Sequence, residues 1–302
     1  MLKNINMRGR IRFDEPLAKH TTFEVGGPAE VFAEPSSVEE LKSLIEVVRG
    51  AGLPVTVLGT GANVLAADRG VKGVTIHLAG FSGCEVKDNL LTAGAGLPVN
   101  DAALRAVEHG LSGLEFFYAM PGTVGGAVYM NARCYGSSTA DRLKAVKVLD
   151  PSLTVSTRRI DPGEFGYKIS PFQTSGELLL EAEFELKPGS GEAIWKNMRS
   201  YESDRAAKGH FDLPSAGSVF KNDRAFGRPS GAIIDSLGLK GYRVGGAMIS
   251  PSHANIIVNA GNATASDIRS LIEEVKERVY SYYGYRLDEE VIYIGEWDEH
   301  DT

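Results

Sequence analysis

Apolar and polar positions change period several times along this chain, and each change marks an element. Val38, Leu41, Leu44, Ile45 and Val48 recur at helical spacing. Ser36 and Ser37 with Glu39 and Glu40 supply a capping-box start, and Gly50 and Gly52 stop the helix. After Pro54, Val-Thr-Val-Leu is a short buried strand, and residues 74–78 and 90–93 are strands with a turn at Ser82-Gly83 between them. Asn100 is the expected cap of a helix over 101–109 whose apolar face is Ala103, Leu104 and Val107. Residues 145–149 and 154–160 pattern as a hairpin around Asp150-Pro151-Ser152. Residues 178–186 alternate, with Glu181, Glu183 and Glu185 on one face of a half-exposed strand. A long polar helix over 192–208 follows, then a short helix over 233–237 and a strand over 254–259. A helix from Ser266 buries Ile268, Leu271, Ile272, Val275 and Val279 and stops at Gly284, and a last strand covers 290–294. Near the start of the chain, residues 20–27 read as a strand closing in a glycine turn, with a second short strand to Glu34.

With 302 residues the chain is long enough for two domains, and Lys187-Pro188-Gly189-Ser190-Gly191 is its best boundary. The net charge of −7 argues against a nucleic-acid or anionic-membrane binder, since affinity for phosphate backbones needs an excess of Lys and Arg. A locally basic pocket for a small anion remains compatible with it. Cys84 and Cys134 make neither a metal-like cluster nor a disulfide framework, so no metal is expected. Residues 1–10 lack the apolar core of a signal peptide, and no apolar run approaches the ~20 residues of a membrane span. The expectation is a soluble cytoplasmic protein.

Two glycine-rich loops carry the first chemical signal. Residues 119–132, Ala-Met-Pro-Gly-Thr-Val-Gly-Gly-Ala-Val-Tyr-Met-Asn-Ala, place Pro121, Gly122, Gly125 and Gly126 in an uncharged run. Glycine lets a guest approach the backbone, and clustered N–H groups suit a diphosphate. A tight turn between buried strands is the alternative. Residues 59–65, Gly-Thr-Gly-Ala-Asn-Val-Leu, follow a strand but lack the third glycine of a dinucleotide fingerprint and the Lys-Ser/Thr pair of a P-loop. Together the loops fit a nucleotide or flavin better than either alone. Ser218, in Ala-Gly-Ser-Val-Phe-Lys-Asn, lacks the glycine pair of a nucleophile elbow and is either a buried hydroxyl or a reactive one. Tyr167 and Lys168, in Phe-Gly-Tyr-Lys-Ile-Ser-Pro-Phe, can hold a carboxylate or phosphate, or simply belong to a solvated loop. The acidic run 288–290 opens the last strand and on its own reads as solvated.

In order, the chain carries Thr-Thr-Phe-x-Val-Gly-Gly-Pro-Ala, Gly-x-Gly-Ala-Asn-Val-Leu, and Pro-Gly-Thr-Val-Gly-Gly-Ala-Val-Tyr-Met-Asn-Ala. These are followed by Ser-Ala-Gly-Ser-Val-Phe-Lys-Asn, Gly-Leu-Lys-Gly-Tyr-Arg-Val-Gly-Gly-Ala, Ser-x-x-His-Ala-Asn and Leu-x-x-Glu-Val. Over about residues 15–296 this set closely resembles the UDP-N-acetylenolpyruvoylglucosamine reductase family, in its shorter type. The resemblance implies an α+β protein. Its first part is a two-part FAD-binding region of the vanillyl-alcohol-oxidase (PCMH) type over 1–190, in subdomains of about 1–80 and 81–190. A carboxy-terminal α+β substrate-binding domain over 191–302 follows.

It also implies a reaction of peptidoglycan precursor synthesis. NADPH reduces a non-covalent FAD, and the enolpyruvyl UDP-sugar then takes a hydride at its terminal carbon and a proton at the neighbouring one. By resemblance Ser218 donates that proton, Glu290 is a protonated or polarising group beside the enol, and Lys168 stands where the family has an arginine that grips the substrate carboxylate. The cofactor residues implied are Gly59, Thr60, Gly61, Ala62, Asn63, Val64, Pro121, Gly122, Thr123, Gly125, Gly126 and Val128. Those for substrate are Tyr167, Gln173, Lys221, Asn222, Lys240 and His253. Covalent flavin attachment through His20 or Cys134 is not expected. The state expected is a monomer or weak oligomer, with neither nucleic acid nor membrane as partner. Arg133 and Cys134 depart from the small residues usual after Asn-Ala and put a cation beside the second loop. The alternatives are an FAD-linked oxidase or dehydrogenase of the same fold, which needs a base rather than a proton donor, and a non-catalytic sugar-nucleotide-binding module.

Overall fold

A computed structural model describes residues 10–297; of the stretch read for a leader, residues 1–9 lie outside the described residues. Residues 10–185 carry two larger sheets. In the first, strand Pro28–Glu34 is central: Arg10–Pro16 runs antiparallel to one edge, and Val71–His77 lies parallel to the other and pairs in turn with Val55–Leu58. The second is antiparallel throughout, in the order Val155–Arg159, Leu143–Leu149, Leu178–Glu185, Leu90–Gly94, Cys84–Lys87. One hydrophobic core joins them. Helix α1 (Val38–Gly50) contributes Leu41, Leu44, Ile45 and Val48, and helix α2 (Val99–Glu108) contributes Val99, Ala102, Ala103, Ala106 and Val107.

The boundaries sharpen the sequence reading. Ser37 caps α1 by accepting from the Glu40 amide, and the Glu40 carboxylate accepts from the Ser36 amide, as the capping residues predict. Asn100 does not cap α2. The helix starts two residues earlier, behind Pro98, and the Asn100 side chain accepts from the Ala119 amide at 2.9 Å, so it braces the second glycine loop instead. Residues 20–27 are not a strand. Thr21 turns the chain by bonding the Val25 carbonyl, and Glu24 sits at φ 56°, a left-handed turn conformation rather than extended backbone. Residues 124–129, read as loop, form a short helix α3 (Val124–Tyr129) capped by Thr123. The strand expected over 254–259 shortens to Ile257–Asn259, because the Asn255 side chain is turned to both the amide and the carbonyl of Phe220.

The carboxy-terminal half builds a second core from α5 (Ser230–Ser236), α6 (Ala265–Tyr283) and the sheet Arg243–Val244, Ala247–Ile249, Ile257–Asn259, joined by Phe23, Val25 and Leu65 of the first half. The five apolar side chains read from the sequence of α6 are all buried, each contributing roughly 1.5–3 kcal/mol relative to exposure. Helix α4 (Gly191–Ala207) follows the composition boundary but lays Ile194 and Met198 on the first core.

Among the links that return the second half to the first, two adjoin the first glycine loop. The Asp68 carboxylate accepts from the amides of Ala265 and Ser266 and from the Ser266 hydroxyl at 2.8–2.9 Å, meeting the positive end of the α6 dipole. The last strand, Ile292–Ile294, pairs in parallel with Val64–Ala66, directly after the first glycine loop. Residue 290 is thereby delivered to that loop by backbone pairing.

Candidate active site

A cleft of about 1740 Å³ opens where these parts meet. One wall is made of the two glycine loops, and they touch. A Cβ on Gly59 would lie 2.6 Å from Thr123 Oγ1, and the space above Gly122 ends at the Ala62 methyl 4.0 Å away. Gly61 adopts φ 61° and is pressed against the His20 carbonyl, so only glycine fits there. Thr123 accepts from the Gly126 amide, while the amides of Val124 and Gly125 are bound by the Leu97 and Ala95 carbonyls.

The amides of Thr60, Gly61, Ala62, Asn63, Gly122 and Thr123 donate to no protein acceptor among the described residues. The Thr60 hydroxyl is buried with no partner. Unpaired donors of this kind are rare away from water unless a guest satisfies them. A diphosphate fits: it is acceptor-rich, and the glycines leave it close access to the backbone. Gly125 and Gly126 line the same wall, whereas Val128 is fully buried in the core.

The end of the cleft that holds Ser218, Glu290 and Lys168 is built from three separate segments. Residues 218–220 pair with the chain on both sides: Ser218 bridges Ile256, Phe220 bridges Glu289, and the Glu290 amide donates to the Val219 carbonyl at 2.7 Å. Asn63 of the first loop donates to the Glu290 carbonyl at 2.9 Å. Glu290 is thus fixed from both sides, beside Ser218, whose hydroxyl has no hydrogen-bond partner among the described residues.

Lys168 arrives from the loop after the second sheet's hairpin, with φ 60°. Asn131 donates to the Gly166 carbonyl, Ser170 to the Tyr129 carbonyl, and Gln173 to the carbonyls of Tyr129 and Lys168, tying this loop to the end of α3. Lys168 Nζ lies 2.5 Å from Glu290 Oε1, with the two side chains only 12% and 11% exposed. The ammonium read as a carboxylate grip is therefore already held by Glu290.

The remaining expected residues divide. Tyr167, Gln173, Asn222 and His253 line the cleft, and the Asn222 amide donates to the Tyr167 hydroxyl. Lys221 and Lys240 do not line it; Lys221 has its backbone bound to Asp288 and Ser230, and Lys240 pairs with Asp235 at 3.0 Å. His20 lies off the cleft, stacked on Phe32 and bound to Glu15. Cys134 lines it, but burial pushes its thiol up from the ordinary value, away from the reactive thiolate.

The sequence reading missed the far wall, built from the end of α4 and residues 208–214. It presents Arg205, Lys208, His210 and Phe211. Burial, then the charge of Arg205, lowers the His210 imidazole to about 4, so it is neutral at neutral pH. His253, its ring 6.1 Å away, is lowered in the same sense, chiefly by burial. The Arg-x-x-Lys spacing at the end of an otherwise polar helix is the one signal that could have drawn attention to this wall.

Known proteins give the same picture. Residues 29–157 match the family described as FAD binding domain, and residues 209–294 match the family described as UDP-N-acetylenolpyruvoylglucosamine reductase, C-terminal domain. A UDP-N-acetylenolpyruvoylglucosamine reductase of Treponema denticola is 41% identical over 96% of this chain and 95% of its own. One of Halalkalibacterium halodurans is 40% identical over 95% of each. The crystal structure of the Thermus caldophilus reductase superposes with a TM-score of 0.79 at 37% identity, covering 95% of this chain and 99% of that one. The α+β class with a flavin-binding region followed by a second domain is thus the one found. With near-complete mutual coverage at this identity, the chain belongs to the UDP-N-acetylenolpyruvoylglucosamine reductase family.

Proposed function

We propose that this chain reduces the enolpyruvyl ether of UDP-N-acetylglucosamine to UDP-N-acetylmuramate, with NADPH as electron source and FAD bound without a covalent link. The observation that carries the reading is the convergence of Ser218, Glu290 and Lys168 on the cleft that both glycine loops line. The open amides of residues 60–63, 122 and 123 and the Thr60 hydroxyl would hold the FAD diphosphate. When bound, FAD supplies the hydride for the terminal enolpyruvyl carbon.

This chain's residues manage the charge that follows. Hydride addition makes an enolate-like species next to the substrate carboxylate, and positioned positive charge is worth far more in such a site than in water. Lys168 supplies that charge, held by Glu290 and aimed by a loop pinned to α3. The unpartnered Ser218 hydroxyl donates the proton to the neighbouring carbon. A serine is a weak acid, but the enolate is a strong base, so the transfer runs downhill. Glu290, fixed by Asn63 and Val219, polarises the same carbon.

Residues up to 190 would form the flavin-binding region in two parts, and residues from 191 the substrate-binding domain, with α4 belonging to the second by sequence and resting on the first core. No helix among the described residues is long and apolar enough to cross a membrane. We place the protein in the cytoplasm as a monomer or weak oligomer, acting on a UDP-sugar. The test is NADPH oxidation by the purified yellow protein, which depends on the enolpyruvyl sugar nucleotide and yields the lactyl ether.

A further inference from the structure

We propose that Arg133 and Arg205 form a phosphate-binding pair on the α4 wall of the cleft, taking a phosphate group of a nucleotide guest. This rests on the reductase reading above and adds a site to it.

Arg205 is 7% exposed yet has no carboxylate within ion-pair distance among the described residues. Its Nη2 donates to the Phe116 carbonyl and the Cys134 sulfur, and its Nε is buried with no partner. Asp204, the adjacent acid, is occupied: it accepts from the Tyr135 hydroxyl at 2.9 Å and from Lys208 at 2.7 Å. A buried charge without a counter-ion is costly unless a ligand supplies one. Arg205 also borders the cleft, so an anion there can reach it.

Arg133 comes from the adjoining hairpin, Arg133–Cys134 paired with Ser137–Ser138. The hairpin is clamped to α4 at its turn. Tyr135 adopts φ 51°, stacks on Tyr201 at 4.0 Å with the rings 5° from parallel, and hydrogen-bonds to Asp204. Cys134 is held between Phe116 and Arg205. Arg133 is the cleft-lining cation of this hairpin, and it makes no ion pair among the described residues. A rigid mount lowers the entropy lost when such a side chain grips a ligand, and a guanidinium fork matches phosphate oxygens two at a time. Cys134 and Arg133 thereby have a joint account: the thiol seats the hairpin and Arg205, and Arg133 adds a second cation to the cleft lining.

Two guests bring phosphate to this cleft, the 2′-phosphate of NADPH and the diphosphate of the sugar nucleotide. Calorimetric titration of the FAD-loaded full chain with adenosine 2′,5′-bisphosphate, 5′-AMP and UDP distinguishes them. In Arg133→Ala, affinity for the phosphate actually read falls 10–100-fold, the effect of losing a charge-assisted hydrogen bond, with partial rescue in Arg133→Lys. Arg205→Lys gives a loss of the same sense, and its melting temperature shows whether the wall is intact. Loss confined to the bisphosphate assigns the pair to the 2′-phosphate, and loss for UDP assigns it to the sugar nucleotide. If no probe weakens more than twofold in Arg133→Ala while the unaltered chain oxidises NADPH with the enolpyruvyl sugar, the pair is refuted and the reductase reading stands. An unaltered chain without that activity overturns the reductase reading itself.

Discussion

Replacing Lys168 by alanine separates the two duties assigned to it. The side chain is paired with Glu290 at 2.5 Å, both nearly buried, so its loss leaves a carboxylate stranded in the cleft wall. Removing one member of a fully buried pair costs about 3–5 kcal/mol; the remaining solvent access brings the expectation here to ~1–3 kcal/mol of stability. Glu290→Gln added to Lys168→Ala removes the stranded charge and should recover part of it. The second duty is catalytic. Lys168 supplies the positive charge beside the developing enolate, and a charged hydrogen bond of this kind is worth roughly 1.5–3 kcal/mol, or about a 10–100-fold slower transfer. Anaerobic stopped-flow absorbance resolves the two half-reactions. Bleaching of the flavin by NADPH should keep its rate within about threefold, and recolouring by the enolpyruvyl sugar nucleotide should slow by the factor above. Equal slowing of both halves would assign Lys168 to cofactor binding. Recolouring within twofold of the unaltered rate would refute the role altogether.

Three further outcomes follow from the geometry. Ser218→Ala should slow recolouring by about 10²-fold or more while leaving flavin reduction and melting temperature near their original values, since the hydroxyl has no hydrogen-bond partner among the described residues. Gly59→Ala drives a methyl to 2.6 Å from Thr123 Oγ1 and should part the two loops, seen as a fall in flavin bound per chain by its absorbance ratio. His210 gives a pH signature: the folded chain holds it neutral down to about 4, whereas unfolding releases it to protonate near 6.5. The unfolded state therefore binds more protons between those values, so stability is constant above about pH 6.5 and is lost as pH falls toward 4. His210→Gln should flatten that part of a melting-temperature profile; an unchanged slope rules the group out as its source.

The hydrophobic period located α1 and α6, because a helix that buries one face repeats its demand every few residues: Leu41, Leu44, Ile45 and Val48 in α1, and Ile268 to Val279 in α6, are the buried positions. Short elements were harder. Helix α3 was hidden because Gly125 and Gly126 are poor helix formers, and its cap at Thr123 and its packing against Ala95 decide the matter. Residues 20–27 alternate like a strand, yet the Thr21 hydroxyl bends them locally. In the site, the two glycine loops were legible because unusual backbone needs glycine. Their joint action on one guest was expected from the pair, but the contact that joins them, Gly59 against Thr123, was not. Nor was the Lys168–Glu290 pair, whose members are brought together by the parallel pairing of Ile292–Ile294 with Val64–Ala66 and the side-chain ties of the Lys168 loop. Lys240 shows the reverse: a lysine in a glycine-rich motif whose nearest need is Asp235.

The claim at the centre is that one cleft holds a flavin and passes its electrons to an enolpyruvyl sugar nucleotide with Ser218 as proton donor. The direct measurement is a single anaerobic turnover in deuterated water: the purified chain is reduced with one equivalent of NADPH, mixed with the enolpyruvyl UDP-sugar, and the product analysed by mass and proton NMR. The account predicts full return of the flavin absorbance and a lactyl ether carrying deuterium at the carbon bearing the ether oxygen, from the donated proton, with a second deuterium at the terminal carbon to the extent that the reduced flavin's N–H exchanges with solvent. Ser218→Ala should suppress that return. A chain that shows no flavin absorbance, or whose reduced flavin stays bleached in the presence of the sugar nucleotide, contradicts it.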